Sequence, residues 1–277
     1  MNSPAALHLF NIDPNQLPIA DDKKVIFYNM VAKLLFVSKR GRPGIQVTIA
    51  FLTTRVTKPD IDNWKKLVWL LCYINSTIDL KLKLSITDFR SIKWWVNASY
   101  VVHPNSCSHT GGTMTLGKGS IYSSSIKQKI TAKSLTEAEL IALNDVAGQI
   151  IWTQSFLQDQ GYNTGPSEVH QDNKSTILLA ENRILSSSKR TKHINVRYYF
   201  IKDRINREEI SIIYCPTSNL VAGYYTKPLQ GSQYVKFRDM VMRTSCFGSL
   251  AKERVEDSTH SSKTSTVFEN TCSKKKL

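Results

Sequence analysis

The stretch Lys93-Trp-Trp-Val-Asn-Ala-Ser99 decides the fold, because its aromatic and β-branched residues favour a strand where a new pattern begins. Segments punctuated by glycine follow at His109–Leu116 and Ser120–Lys129 and predict two further strands joined as hairpins. Ser134 then has the position of a helix N-cap, and Glu137 has the spacing of its capping-box partner. Three strands before a long helix indicate one sheet with a helical cover.

Downstream of that helix, the chain alternates between short strands and helices. Strands are predicted at Glu168–Asp172 and Ile210–Cys215, and helices at Lys174–Glu181, His193–Glu208 and 218–242. Hairpin strands followed by helices and further strands predict a mixed sheet covered by helices. The predicted fold class is therefore α/β, of the α+β mixed-sheet type.

The first third of the chain has helical periodicity instead. Lys23–Ser38 and Ile45–Arg55 repeat apolar residues at helical spacing, and Asp60 is placed to cap a third helix. The predicted buried face of that third helix is Trp64, Leu67, Val68, Leu71 and Ile74. We divide the chain into an irregular lead (1–22), a helical segment (23–91), a mixed-sheet domain (92–242) and a disordered, basic tail rich in Ser and Thr (243–277).

Length and composition exclude several classes of protein. A chain of 277 residues, 41% hydrophobic and 21% charged, has the composition of a globular protein rather than a disordered or fibrous one. Its longest apolar run, Leu67–Ile74, is too short to cross a bilayer, and the N-terminal residues lack the pattern of a secretory signal. Five widely spaced cysteines match neither a disulfide framework nor a zinc knuckle. These features predict reduced thiols, no membrane partner and a cytoplasmic or nuclear location.

The charge balance points to a polyanionic partner. Lys and Arg number 37 against 22 Asp and Glu, which gives a formal net charge of +15, and the excess runs through the whole chain. Nucleic acid is the simplest partner for such a surface. Charge alone leaves open that the protein is merely basic.

Several motifs resemble those of one known family. The chain is similar to copia-type retrotransposon Pol polyproteins, a class of transposable element, in four segments that occur in the family's order: 133–143 (KSLTEAELIAL), 169–176 (VHQDNKST), 189–198 (KRTKHINVRY) and 226–229 (TKPL). Upstream, 31–36 and 51–56 resemble the end of the family's reverse transcriptase. The resemblance covers about residues 9–242.

The resemblance implies a ribonuclease H-like fold, preceded by the C-terminal remnant of a polymerase. Family members cut the RNA strand of an RNA–DNA hybrid with two Mg²⁺ ions held by four carboxylates. Hard oxygen ligands are what Mg²⁺ requires. The family's polymerase motif, Tyr-x-Asp-Asp, does not occur in the chain, so DNA synthesis is not expected. A polymerase portion of the same element is a possible partner.

The same resemblance assigns the four ligand positions. The second carboxylate falls on Glu139 and the third on Asp172, and these two are the expected catalytic and metal-binding residues. The first position is occupied by Asn97 and the fourth by Gly223, neither of which carries a charge. The first acid bridges both metals in the family's mechanism, so its loss predicts a degenerate site, that is, a pseudoenzyme.

Other residues near these motifs have alternative interpretations. Asp145 lies about 240° around the helix from Glu139 and cannot easily replace a missing ligand. His170 is either a substitute ligand on the face of Asp172 or a plain strand histidine, and the second is favoured. His193 is either a general acid or base or a residue at the start of a helix, and again the second is favoured.

Basic and aromatic residues give two further predictions. Lys189, Arg190 and Lys192 lie before a helix N-terminus and are candidate contacts to nucleic-acid phosphates, with a solvated basic loop as the alternative. The tryptophans at 94, 95 and 152 are predicted to be core residues rather than platforms for stacked bases.

Three hypotheses of function remain at this point. The chain is a ribonuclease H-type enzyme that hydrolyses hybrid poorly or not at all, a catalytically silent nucleic-acid-binding module, or a weakly active nuclease that depends on Mg²⁺ or Mn²⁺. The number of retained carboxylates favours the loss of activity.

Overall fold

Three helices form the N-terminal part of the chain. The computed structural model describes residues 2–181 and 192–242, with the backbone alone for 192–195. Helix α1 spans Asp21–Arg40, α2 spans Gln46–Thr53 and α3 spans Ile61–Ser76. The Asp60 carboxylate caps α3 by accepting the Asn63 N–H at 2.7 Å, as the sequence predicts.

The buried face of α3 differs from the predicted one. The side chains that are buried are Asn63, Leu67, Leu70 and Tyr73. Val68, expected to be inside, is 42% exposed. Tyr73 on this face contacts a residue distant in sequence, because its hydroxyl accepts a hydrogen bond from that of Tyr234 at 2.7 Å. A tertiary contact has therefore selected the face, and apolar periodicity within α3 does not reveal it.

A five-stranded mixed sheet forms the centre of the molecule, as the sequence predicts. Its spatial order is β5, β3, β2, β6, β7. Neighbours β5, β3 and β2 are antiparallel, whereas β2, β6 and β7 are parallel. A separate two-stranded ribbon pairs β1 with β4. The strand bounds are β1 Ser85–Ile86, β2 Lys93–Ser99, β3 His109–Thr115, β4 Gly117–Lys118, β5 Tyr122–Lys127, β6 Ser167–Gln171 and β7 Ile210–Tyr214.

Consecutive glycines on β3 let both faces of the sheet be covered closely. A Cβ at Gly112 would lie 2.8 Å from the Val146 side chain on the next helix, α4. A Cβ at Gly111 would lie 2.7 Å from the Ala222 carbonyl oxygen on the opposite face. Successive residues of a strand face opposite sides, so the pair allows two close approaches at one point.

Helix α4 (Leu135–Asp159) covers one face of the sheet. The Ser134 hydroxyl accepts the Glu137 N–H at 3.2 Å, which confirms the predicted N-cap. The buried side chains of α4 pack with Trp94, Val96 and Val169 in the main hydrophobic core. Trp95 is also buried, but Trp152 is 60% exposed and stacks on Phe156, so the prediction that it is a core residue is wrong. Helical periodicity places Trp152 beside the core stripe, but it does not show that none of the described elements covers this residue.

The remaining elements complete the cover. Helix α5 spans Lys174–Glu181, α6 spans Lys192–Asn206 and α7 spans Gly231–Met242. The single helix predicted for 218–242 is wrong, because two short 3₁₀ turns precede α7. Pro228 cannot donate a helical hydrogen bond, and Gly231 has a positive φ of 63°. None of the described helices is long and apolar enough to cross a membrane. The tail predicted for 243–277 lies outside the described residues.

Candidate functional site

The carboxyl ends of the parallel strands meet at one edge of the sheet, where ligand sites of open α/β sheets commonly lie. Strand β2 pairs with β6 only from Lys93 to Trp95, although it remains paired with β3 as far as Ser99. Beyond Trp95 the two parallel strands no longer pair, and a fork opens between them. The N–H of Ala98 in this fork is bonded to a side chain rather than to a strand.

Glu139 of α4 fills the fork. Its side chain is buried, with 2% exposure, and its Oε2 accepts the Ala98 N–H at 2.8 Å and the Gln171 Nε2 at 3.1 Å. One carboxyl oxygen thus joins helix α4 to the ends of β2 and β6. The family resemblance selects Glu139 as a ligand, and the structure places it at the centre of this edge.

Burial makes Glu139 an unusually weak acid. Desolvation, followed by repulsion from Asp172, raises the pKa of its carboxyl from 4.5 to about 8. The hydrogen bonds from Gln171 and Ala98 and the charge of Lys227 oppose the rise without cancelling it. The side chain therefore carries its proton at neutral pH.

Asp172 directly follows β6 and is half-buried. Its Oδ2 accepts a hydrogen bond from the Thr217 hydroxyl at 2.7 Å, which connects it to the turn after β7. Its N–H donates to the Gln171 Oε1 at 2.8 Å, and the Nε2 of the same amide bonds Glu139. The structure thus brings together the two acids that the sequence singles out.

Gln171 is a residue of this site that sequence reasoning missed. Its Oε1 accepts the N–H groups of Asp172 at 2.8 Å and Asn173 at 3.2 Å, while its Nε2 bonds Glu139. The side chain is fully buried and orients both acids through one amide. A polar residue at an inward position of β6, after Ser167 and Val169, is the signal that could have revealed it.

The two neutral positions lie beside each other. Asn97 on β2 is buried, with 5% exposure, and its Nδ2 donates to the Thr226 hydroxyl at 2.8 Å. A Cβ built on Gly223 would lie 3.8 Å from the same Nδ2, at ordinary van der Waals distance. Residues 97 and 223 are therefore adjacent, and Asn97 is joined to Glu139 through its chain neighbour Ala98.

All four positions that the resemblance assigns thus converge, but only two of them carry carboxylates. Among the described residues, no group of three or more His, Cys, Asp and Glu side chains is arranged to hold a metal ion. The Asn97 amide nitrogen is engaged with Thr226, and Gly223 has no side chain. The residues present do not fit a site for two divalent cations.

Known proteins give the family context of this arrangement. No protein-family model matches the chain. It is 28% identical over 219 residues to the retrovirus-related Pol polyprotein from transposon TNT 1-94 of Nicotiana tabacum, which covers 79% of the chain and 16% of that protein. It is 27% identical over 198 residues to the corresponding protein from transposon RE2 of Arabidopsis thaliana, which covers 71% of the chain and 14% of that protein.

The chain is a homologue of these Pol polyproteins. The predicted resemblance is confirmed, over a segment that spans about a sixth of the relatives' length or less. Two solved structures are also similar to it. One is a ribonuclease H1 in complex with RNA/DNA hybrid, at 15% identity and a TM-score of 0.34, covering 47% of this chain and 88% of that one. The other is a foamy viral protease–reverse transcriptase in complex with double-stranded DNA, at 11% identity and a TM-score of 0.47, covering 76% of this chain and 34% of that one.

Three other residues near this edge of the sheet in the Pol homologue make structural contacts. His170 stacks on Trp95, with ring centroids 4.7 Å apart, and desolvation and then Lys93 lower its pKa to about 4. These contacts support its interpretation as a strand histidine. Glu137 accepts the Lys133 N–H at 2.7 Å, and Asp145 accepts the Thr110 hydroxyl at 3.0 Å, so both acids are engaged elsewhere.

The predicted phosphate contacts are not tested by the structure. Lys189 and Arg190 lie outside the described residues. Lys192 and His193 belong to the part of α6 of which the backbone alone is described. Their roles stay predictions.

Proposed function

We propose that the chain is a ribonuclease H-type domain of a Pol-like protein in which hydrolysis of RNA–DNA hybrid is lost or severely impaired. The observation that carries this proposal is the convergence of Asn97, Glu139, Asp172 and Gly223 at one edge of the sheet, with carboxylates at only two of the four positions. Homology to Pol polyproteins supplies the reaction class.

Electrostatics explains why the two replacements matter. Two unit charges 4 Å apart attract by about 4 kcal/mol at an effective dielectric constant of 20, and a divalent ion doubles the figure. Solvation offsets much of this attraction, yet two missing charges still weaken cation binding by orders of magnitude. An amide at 97 offers a neutral oxygen, and a glycine at 223 offers no ligand atom.

The surrounding structure could accommodate both missing acids. A side chain at Gly223 would start in open space, because its Cβ contacts only the Asn97 amide at 3.8 Å. The carboxylate introduced by Asn97→Asp would accept the Thr226 hydroxyl, which now donates to the Gly223 carbonyl oxygen at 3.3 Å. Neither substitution requires the backbone to move. The scaffold of the site is therefore intact while its charge is not.

The test is cleavage of a labelled RNA–DNA hybrid with Mg²⁺ and then with Mn²⁺. The Asn97→Asp/Gly223→Asp variant supplies both carboxylates, and Gly223→Asn, which leaves Asn97 in place, supplies isosteric amides at the same two positions. We expect cleavage from the first variant and none from wild type or the second. Cleavage should disappear again when Glu139→Gln is added. Equal cleavage by wild type would contradict the proposal, and so would failure of the two-aspartate variant to cleave although it is folded.

A second candidate function is nucleic-acid binding without chemistry. The formal net charge of +15 favours it, because lysine and arginine attract nucleic-acid phosphates whether or not a catalytic site is present. RNA–DNA hybrid is the first ligand to examine, and a polymerase portion of the same element is the proposed protein partner. Affinity that does not depend on salt would exclude this candidate.

A further inference from the structure

Three lysines surround the edge that holds Glu139 and Asp172. Lys227 is exposed and directly follows Thr226, whose hydroxyl accepts the Asn97 amide at 2.8 Å. The Lys236 Nζ donates to the Ser218 carbonyl oxygen at 3.1 Å and to the Asn219 Oδ1 at 3.2 Å. It is thereby held beside the turn that begins at Thr217, whose hydroxyl bonds Asp172.

Lys174 completes the group from the other side of Asp172. Its Nζ lies 4.9 Å from the centroid of the Tyr214 ring, at the last residue of β7. Tyr214 is the register partner of Gln171, so Lys174 lies at the same edge of the sheet. Among the described residues, none of these three lysines has a carboxylate oxygen within 4.0 Å. Their charges are therefore available to an external anion.

The replacements at 97 and 223 remove two acidic side chains from this edge. Three lysines here stand against two acids, Glu139 and Asp172, whereas with carboxylates at 97 and 223 four acids would stand against the same three lysines. Each added carboxylate repels a phosphate unless cations intervene, whereas the lysines attract it directly.

We propose that this edge binds backbone phosphates of RNA–DNA hybrid directly, without a divalent cation, through Lys174, Lys227 and Lys236. The inference rests on the proposed function for the identity of the nucleic acid. It goes further in making the degenerate centre a binding site that the two replacements created. Lysine is suited to the task, since its ammonium contacts phosphate as a point charge with rotatable donors.

The first test measures the affinity for labelled hybrid in EDTA by fluorescence anisotropy. Gly223→Asn and Asn97→Asp/Gly223→Asp form a matched pair, because both have side chains of the same shape at the two positions. We expect wild type and the amide variant to bind alike and the two-aspartate variant to bind about tenfold more weakly. Addition of Ca²⁺ should recover affinity in the two-aspartate variant alone. Equal affinity of the matched pair in EDTA, or a requirement of wild type for divalent cations, would overturn the proposal.

The second test assigns the lysines. Replacement of Lys174, Lys227 and Lys236 by Ala together should reduce the slope of log affinity against log salt by about 2 to 3, close to one for each phosphate contact. The matched control replaces Lys33, Lys58 and Lys65, which are exposed lysines of the N-terminal helical region. It should not remove the part of the salt slope that Lys174, Lys227 and Lys236 contribute. An unchanged slope in the first triple variant would overturn the assignment. If that variant does not fold, each single variant should still lower the slope by about 1, and single variants with the wild-type slope would equally overturn it.

The two proposals fail in different ways. Cleavage by the two-aspartate variant with Mg²⁺ tests the proposed function and does not depend on binding in EDTA. Affinity in EDTA tests the phosphate site and does not depend on cleavage. A two-aspartate variant that cleaves but binds in EDTA as tightly as the amide variant would reject this inference and retain the proposed function.

Discussion

The candidate site has two halves, which differ in how many elements of the fold their hydrogen bonds connect. In the carboxylate half, Glu139, Gln171 and Asp172 form hydrogen bonds that join α4, β2, β6 and the turn after β7. In the neutral half, Asn97, Gly223 and Thr226 form one buried side-chain hydrogen bond and leave open space above Gly223. The two acids of the site thus lie where they also hold elements of the fold together.

This difference separates stability from catalysis within one site. Loss of Glu139 or Gln171 would leave buried polar groups without partners, and such groups are costly. Asn97 has its own partner in Thr226, and Gly223 needs none. Substitutions that remove hydrogen bonds should therefore cost less stability in the neutral half than in the carboxylate half. Four substitutions test this contrast.

The largest effect on stability is expected from Gln171→Leu. It removes three hydrogen bonds and leaves the N–H groups of Asp172 and Asn173 without their acceptor. We expect the free energy of unfolding to fall by about 3 kcal/mol in chemical denaturation. Thr217→Val, which removes a single exposed hydrogen bond to Asp172, is the control and should cost less than about 1 kcal/mol. A loss of similar size in both variants would show that Gln171 does not organise the carboxylate half.

The next effect is the pH dependence that Glu139 imposes. Because folding raises the pKa of its carboxyl from 4.5 to about 8, its contribution to stability is fully present below pH 4.5 and is lost as the pH rises to about 8. Glu139→Gln is neutral at every pH. At pH 8 it should be more stable than wild type, because only wild type then bears the cost of an ionised, buried carboxylate, and the difference should be small at pH 4.5. Denaturation curves at the two pH values provide the measurement, and a difference that does not change with pH would contradict the assigned pKa.

In the neutral half, Thr226→Val should have a smaller effect. It leaves the buried Asn97 amide without its acceptor, at a cost of about 1.5 kcal/mol. Thr226→Ser keeps the hydroxyl and should recover most of the loss. If Ser and Val cost the same, the hydrogen bond to Asn97 contributes nothing, and packing of the methyl group explains the effect.

Gly223→Ala should have the smallest effect. Its Cβ would meet only the Asn97 Nδ2 at 3.8 Å, so the midpoint of thermal unfolding should hardly change. Gly111→Ala is the matched comparison, since a Cβ there would lie 2.7 Å from the Ala222 carbonyl oxygen. We expect it to cost about 3 kcal/mol, because a backbone atom must move. A large loss from Gly223→Ala would show that the neutral half has no space for a fourth acid.

Local patterns account for most of the elements that could be predicted from sequence. Strand β2, the Ser134 cap and the bounds of α5 follow from residue preferences within a few neighbours. The four site positions required family motifs, because neither Asn97 nor Gly223 has chemistry of its own to attract notice. Their adjacency depends on the close approach of the 3₁₀ turn to Gly111 of β3, which joins segments about a hundred residues apart.

The residues that escaped prediction are those fixed by distant partners. Gln171 can bond Glu139 only when α4 lies over the fork between β2 and β6. Trp152 is exposed because no described element covers its side of α4, and periodicity cannot show this. The predicted helix over 218–242 is wrong because the segment is interrupted at Pro228, which lacks the N–H that a continuous helix requires.

The most direct test of the central claim is a double-mutant cycle in hybrid cleavage. Wild type, Asn97→Asp, Gly223→Asp and the double variant are compared in single-turnover assays with Mg²⁺. We predict that the double variant cleaves at least about 100-fold faster than wild type, equivalent to about 2.7 kcal/mol of barrier, and that neither single variant reaches a tenth of its rate. A wild-type rate equal to that of the double variant would contradict the account, because two neutral residues would then serve as well as two carboxylates.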